Sequence, residues 1–339
     1  MKRILVLAFG AIGLASAAAA DPIAGYDRLE IVAPHRAALV AASVWYPVGT
    51  PTYRGLIGDN AVFEGTPAYV GAALAEGEFP LLLLSHGSGG NMDNLSWLSS
   101  RLALRGAMVL AVNHPGSTSG DSSPRRSVRL AERAADLRAA LDHVLADPAF
   151  APHVDASRIS SLGFSLGGAT ALNLVGAQTD RGLYRDYCAV HGDEPADCVF
   201  FAKGGVDLAN LPDAFEGDMR DPRIGAAIAV DPGLTYAFTD ASVAAMDLPV
   251  LLINLGGEER FKAADVSARG SNLVERLPRV EYATAAPASH FTFLALCKPG
   301  GQELLAEEHD DPVWDDPAGA DRAGIHEEIV ERIAEFLQL

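Results

Sequence analysis

Ser165 stands at the centre of Gly163-Phe164-Ser165-Leu166-Gly167, extended by Gly168, in a chain of 339 residues. A serine with glycines two positions to either side is suited to attack a carbonyl carbon, because a sharp turn can lift its Oγ clear of the backbone. Side chains at the flanking positions would strike the adjoining chain, and glycine tolerates the strained dihedrals of such a turn. The motif is short and the chain holds 33 glycines, so its context must carry the reading. The apolar run Arg158-Ile159-Ser160-Ser161-Leu162 precedes it and the helix-compatible stretch 169–177 follows, which supplies strand, turn and helix.

A serine hydroxyl needs a base to take its proton and a third group to orient that base. Where serine occupies an elbow of this kind, an acid and then a histidine follow in the chain. The downstream histidines are His191, His290, His309 and His326. His191 precedes any late strand, His309 lies in an acidic stretch, and His326 falls in an expected surface helix. His290 follows the last expected strand by the short loop 285–289 and leads into Phe291-Thr292-Phe293-Leu294, the place a base should occupy. For the acid, Asp231 caps the apolar run 224–230 with Pro232-Gly233 behind it, a turn-forming context as well as a catalytic one. Glu258 and Glu259 follow the next apolar run and stay open as alternatives, with Asp265 a little further on.

The oxyanion of an acyl-transfer intermediate needs two preorganised N–H donors. One is expected from Leu166, directly after the serine. The other is expected from the loop Ser85-His86-Gly87-Ser88-Gly89-Gly90, with Ser88 preferred and Gly87 or Gly89 as neighbouring alternatives. His86 and His114 both follow strands and are candidates to line a substrate pocket, as are Gly87, Phe164, Phe291 and Trp97. Each is as readily a structural residue.

These groups need elements to bring them together. Runs 29–32 and 39–46 suggest an opening antiparallel hairpin, and 47–78, rich in Gly, Pro and Thr, reads as a long excursion. The continuous apolar run 79–85 predicts a fully buried strand of a parallel sheet. Helical spacing over 92–105 ends at Gly106, 107–113 predicts the next strand, and 114–124 a loop. Residues 127–145 predict an amphipathic helix with Leu130, Leu137, Leu141 and Val144 inward and charges between them. Strands are expected over 158–164, 224–230, 249–255 and 280–284, and a closing helix over 325–337. The segment 178–221 reads as irregular and charged, an insertion or a small lid. This alternation predicts a single α/β domain over 21–339, with a mostly parallel sheet and helices on both faces. Catalytic groups in such sheets collect at the carboxyl ends of strands.

Composition bounds the partners. Residues 1–20 have a basic start at Lys2 and Arg3, an apolar core over 4–14 and small residues up to Ala20, the pattern of a secretory signal cleaved near Ala20. Export to a periplasmic or extracellular compartment is expected, with no stable membrane anchor. The net charge of −18 disfavours nucleic acid and anionic membranes as partners. An exported chain can hold a disulfide, and of Cys188, Cys198 and Cys297 the first two are the favoured pair, leaving Cys297 as a buried free thiol. No metal-ligand spacing and no dinucleotide or phosphate loop occurs, so neither metal nor cofactor is expected.

The set L-L-S-H-G-S-G-G, G-F-S-L-G-G, A-V-D-P-G and S-H-F-T-F-L, spread over residues 79 to 297, resembles the predicted dienelactone-hydrolase group of α/β-hydrolases. It is also similar to platelet-activating-factor acetylhydrolases. The resemblance implies the α/β-hydrolase fold, an acid at Asp231, oxyanion amides at Ser88 and Leu166, and a base at His290 within the matching segment 290–294. True dienelactone hydrolases carry cysteine at the elbow, whereas this chain has Ser165, so dienelactone is not the expected substrate. The expected activity is hydrolysis of short-acyl, aryl or polyester-type carboxylic esters. A ligand-binding protein without turnover, or an amidase or peptidase using the same groups, are the alternatives.

Overall fold

The computed structural model describes residues 22–191, 196–258, 260–308 and 313–339. The expected leader over 1–20, the alternative acid Glu259 and His309 lie outside the described residues.

The expected hairpin is present: β1 (Gly25–Ile31) and β2 (Val40–Tyr46) pair antiparallel, from Gly25 opposite Tyr46 to Ile31 opposite Val40. The stretch 47–78 is not the irregular excursion expected. It holds four short strands, β3 (Val48–Thr50), β4 (Tyr53–Ile57), β5 (Thr66–Val70) and β6 (Ala73–Leu74). β4 is a half-exposed edge strand held by its pairing with β5, so no buried apolar run marks it in the sequence. The buried strand β7 (Phe79–Ser85) follows, then α1 (Ser96–Leu104) and β8 (Met108–Val112). The loop after β8 folds into a small hairpin of β9 (Ser117–Thr118) and β10 (Asp121–Ser122). A short α2 (Pro124–Ser127) precedes α3 (Leu130–Ala146), and β11 (Val154–Phe164) leads through the glycine-rich turn into α4 (Leu166–Asn173).

The insertion after α4 is helical, not irregular. α5 (Arg181–His191) and α6 (Ala196–Lys203) are joined by the Cys188–Cys198 disulfide, the pairing the sequence favoured. α5 buries Tyr184, Tyr187 and Cys188, spaced by three and four, while Arg181, Arg185 and Asp186 between them mask the period. The chain closes with β12 (Ala226–Val230), α7 (Asp240–Ala244), β13 (Val250–Leu255), α8 (Leu273–Arg276), β14 (Val280–Ala285), α9 (Gly301–Glu308) and α10 (Arg322–Leu337).

Ten strands form one sheet in the order β14-β13-β12-β11-β7-β8-β2-β1-β5-β4. The six from β14 to β8 are parallel, which brings their carboxyl ends to one rim. Side chains alternate across the sheet. Leu81 and Leu83 join a core with α3, α4 and the insertion, whereas Leu82 and Leu84 join a core with α1 and α10 on the other face. Covering both faces explains why β7 reads as unbroken leucine. Burying each such side chain contributes roughly 1.5–3 kcal/mol.

Two expectations about single residues are corrected. His326 is not on a surface helix face; it is 2% exposed on the inner side of α10 and stacks on Trp97 at 3.7 Å between ring centroids. Burial lowers its pKa to about 4. Cys297 is free but only half-buried. No helix among the described residues is long and apolar enough to cross a membrane.

Candidate active site

The turn between β11 and α4 shows why its glycines are needed. Ser165 has φ 56° and ψ −122°, a strained backbone at the end of a parallel strand. A Cβ on Gly163 would lie 1.9 Å from the Gly167 carbonyl oxygen, and one on Gly167 would lie 1.9 Å from the Ser85 carbonyl oxygen. Gly168 is pressed in the same way against Pro232, 2.8 Å from where a Cβ would stand. The turn therefore closes only with hydrogen at these positions, and Ser165 is the residue it pushes outward.

His290 and Asp231 arrive from the two neighbouring regions of the rim. His290 Nε2 lies 3.1 Å from Ser165 Oγ, and His290 Nδ1 lies 2.9 Å from Asp231 Oδ2. An ionised carboxylate only accepts, so Nδ1 carries the proton and the Nε2 lone pair faces the serine. The ring packs between Phe164 and Phe261, at centroid distances of 4.7 and 4.6 Å, and meets Phe291 edge-on at 5.5 Å. Asp231 follows β12 in a left-handed conformation with φ 42° and is 1% exposed. Its other oxygen, Oδ1, accepts from the backbone N–H of Leu255 at 2.7 Å and from Asn254 Nδ2 at 2.9 Å. These three donors hold the carboxylate from β13 and the histidine loop together.

The other candidates for acid and base stand apart. Glu258 is exposed and pairs with Arg269. Asp265 is occupied by the Ser267 amide and by Arg260. His191 closes α5 beside Tyr187 and Tyr236.

A cleft of about 70 Å³ opens over Ser165 and His290. His86, Gly87, Ser88, Phe164 and Phe291 line it, together with Asn94, Leu95 and Leu294. His114 and Trp97 do not line it, and neither does any described residue of the α5–α6 insertion. A larger groove, about 660 Å³ between Pro22, Arg54, Trp97 and Leu296, shares no lining residue with the cleft. Of the possible donors in the loop after β7, Gly89 is spent on the Ser117 carbonyl and Gly90 on the Gly87 carbonyl. The N–H groups of Ser88 and Leu166 donate to no other group among the described residues. Gly87 packs directly on the nucleophile, with a Cβ there 3.1 Å from Ser165 Cβ. No cluster of three or more metal-ligating side chains occurs among the described residues.

A buried polar network that no sequence motif announces lies beneath this loop. Ser85 Oγ lies 2.9 Å from His114 Nε2, and His114 Nδ1 lies 2.9 Å from Asp136 Oδ2. Asp136 also accepts from Arg36 and from His35. Ser85, His114 and Asp136 are fully buried, so this second serine–histidine–aspartate chain meets no substrate. Burial opposes charging Asp136, yet hydrogen bonds from Arg36 and His114 hold its carboxyl well below the usual carboxylate range. Burial lowers the His114 pKa to about 4 and, with His114 and Arg133 nearby, that of His86 well below the usual histidine value. The signal lay in α3: Arg133 falls three residues after Leu130 and four before Leu137, on the apolar stripe and not between stripes. Asn254, the polar residue in the buried run of β13, carried a similar signal.

Known proteins share the fold and parts of the sequence. The ferulic acid esterase of Streptomyces cinnamoneus superposes with a TM-score of 0.62 at 20% identity, covering 95% of this chain and 91% of that one. The chain thus has the α/β-hydrolase fold, as the resemblance implied. Cutinase est2 of Thermobifida alba is 32% identical over 101 residues, 29% of this chain and 31% of the cutinase. Lipase 1 of Moraxella sp. (strain TA144) is 32% identical over 93 residues, 27% of this chain and 25% of the lipase. The chain therefore covers about a third or less of the curated relatives it matches. No family model matches it.

Proposed function

We propose that this protein is an exported serine hydrolase that cleaves carboxylic esters through Ser165, His290 and Asp231. The observation that carries the reading is the run of contacts from Ser165 Oγ to His290 Nε2 at 3.1 Å and from His290 Nδ1 to Asp231 at 2.9 Å, at the floor of a cleft. Ser165 Oγ attacks the carbonyl carbon while His290 Nε2 takes its proton, and Asp231 stabilises the imidazolium that forms. The amides of Ser88 and Leu166 receive the negative oxygen. Collapse of the tetrahedral adduct breaks the ester C–O bond, His290 returns the proton to the departing alcohol, and an acyl-Ser165 ester remains. Water then attacks that ester, its proton passing to His290, and the carboxylic acid leaves as Ser165 recovers the proton.

The small cleft, walled by Phe164, Phe291, Leu95 and Leu294, supports a compact acyl group, with aryl and polyester-type esters as further candidates. The Cys188–Cys198 disulfide supports export, since such bonds persist in oxidising compartments. The printed names of the relatives, a cutinase, a lipase and a ferulic acid esterase, support an ester as the substrate class. The test is turnover of p-nitrophenyl acetate together with labelling by a fluorophosphonate probe. Wild type is expected to react with both, and Ser165→Ala with neither; full activity in Ser165→Ala refutes the reading.

A further inference from the structure

Arg133 on α3 is 2% exposed, and no carboxylate among the described residues pairs with it. All its contacts go to neutral oxygens. Nε donates to Thr170 Oγ1 at 3.0 Å, Nη2 donates to Ser85 Oγ at 3.1 Å and to the His86 carbonyl, and Nη1 donates to Ser117 Oγ. The nearby carboxylate, Asp136, is already taken up by His35, Arg36 and His114. Burial lowers the Arg133 pKa to about 9, which leaves it a cation at neutral pH. A buried charge with no carboxylate in direct contact is costly, and its presence calls for a return elsewhere.

The contacts of Arg133 reach both halves of the proposed oxyanion hole. On one side, Thr170 accepts from Arg133 and donates its hydroxyl to the Leu166 carbonyl at 3.1 Å. On the other side, Arg133 holds the His86 carbonyl, at the start of the loop that carries Ser88. The His86 ring completes that side. Its Nε2 accepts from the His114 backbone N–H at 3.1 Å, so Nδ1 bears the proton and donates to the Gly87 carbonyl at 2.7 Å. A trans peptide points its N–H away from its C=O. Holding the Gly87 carbonyl against the His86 ring therefore aims the Ser88 N–H in the opposite direction.

We propose that Arg133 is a positioning residue for the oxyanion hole: one buried guanidinium ties the Ser88 and Leu166 segments into a single frame and sets a positive charge behind them. The inference rests on the serine-hydrolase reading given above. It touches neither substrate nor Ser165, so its effect is confined to how well the negative intermediate is held.

The test uses Thr170→Val, Arg133→Lys and Arg133→Gln. Folded, reactive sites are counted by titration with the fluorophosphonate, and turnover of p-nitrophenyl acetate is expressed per titrated site. Inhibition by phenylboronic acid, whose tetrahedral adduct carries an oxyanion, is measured alongside. Thr170→Val is expected to lower turnover per site about 10-fold or more and to weaken the boronic acid by a similar factor, since losing one oxyanion donor outright costs about 10²–10³-fold. Arg133→Lys, which keeps the charge, should retain more of both than Arg133→Gln. Thr170→Val preserves side-chain shape and decides the matter if the Arg133 variants do not fold. If turnover per site and boronic-acid affinity of Thr170→Val stay within about twofold of wild type while Ser165→Ala is inactive, the Arg133 inference falls and the hydrolase reading stands. If Ser165→Ala retains turnover, both fall.

Discussion

Asn254 Nδ2 donates at 2.9 Å to Oδ1 of Asp231, the carboxylate whose Oδ2 meets His290 Nδ1 at the same distance. Asn254 has no spare capacity. Its amide also donates to the Ala264 carbonyl, and its oxygen accepts from the Val266 N–H and the Tyr282 hydroxyl. Replacing it by leucine would take the partner from the buried Ala264 carbonyl and Val266 N–H and free one side of the Asp231 carboxylate. Asn254→Leu is expected to lose about 2–4 kcal/mol in urea unfolding. Turnover of p-nitrophenyl acetate per titrated site should fall roughly 10-fold, since the Leu255 N–H still holds Asp231. Unchanged turnover per site would mean that the orientation of His290 does not depend on this bond.

Gly167 offers a steric prediction with an internal control. A Cβ on it would sit 1.9 Å from the Ser85 carbonyl oxygen, whereas a Cβ on Gly257 would meet nothing within 4 Å. Backbone atoms cannot rotate out of the way as a side chain can. Gly167→Ala should cost about 3–5 kcal/mol or prevent folding, and Gly257→Ala should stay within about 0.5 kcal/mol of wild type. Equal stabilities in denaturant titration would contradict the closeness of the strand–turn–helix junction.

The contrast between these two glycines shows what was legible beforehand. Gly163, Ser165 and Gly167 form a local pattern whose physical demand, a close turn, is written in adjacent residues. Asp231 is legible as a candidate because it directly follows an apolar run, and His290 because only a short loop separates it from the last expected strand; strand ends are where such sheets gather chemistry. Phe261, Asn254 and Arg133 were not read, since their importance depends on which distant group they face. A single Asn in a buried strand and an Arg on an apolar helix stripe are visible anomalies, but they do not name their partners. β4, at the edge of the sheet, and β5 beside it escape the sequence for another reason: they are held by pairing with other strands, not by a continuous buried face.

The insertion is tied down by a bond that can be removed without touching the cleft. Cys188 and Cys198 are 10 residues apart, so the cross-link stabilises by roughly 2–3 kcal/mol through loop closure. None of the cleft's lining residues comes from α5 or α6. The double variant Cys188→Ser, Cys198→Ser is expected to lower Tm by several degrees while keeping the 25 °C turnover of p-nitrophenyl acetate near that of wild type. A large loss of turnover with unchanged Tm would show instead that the insertion shapes the substrate path.

Three buried histidines set the response to acid. Burial lowers the pKa values of His114 and His326 to about 4 and that of His86 well below its ordinary value of 6.5. The unfolded chain takes up these protons near pH 6.5 and the fold does not, so this stability is complete above that pH and is lost as pH falls toward 4. Asp197 acts in the opposite sense. Burial raises its pKa to about 6, so its protonation in the fold stabilises as pH drops below that value. Near pH 5 the unfolded chain gains three histidine protons against one aspartate proton in the fold. Each unbalanced proton changes stability by about 1.4 kcal/mol per pH unit. Tm should therefore fall between pH 7 and pH 5. His326→Gln keeps a donor for the Thr292 carbonyl that His326 bonds at 2.8 Å, yet removes one titrating group, so it should make that fall shallower. A Tm profile with the slope of the parent would assign the acid sensitivity to other groups.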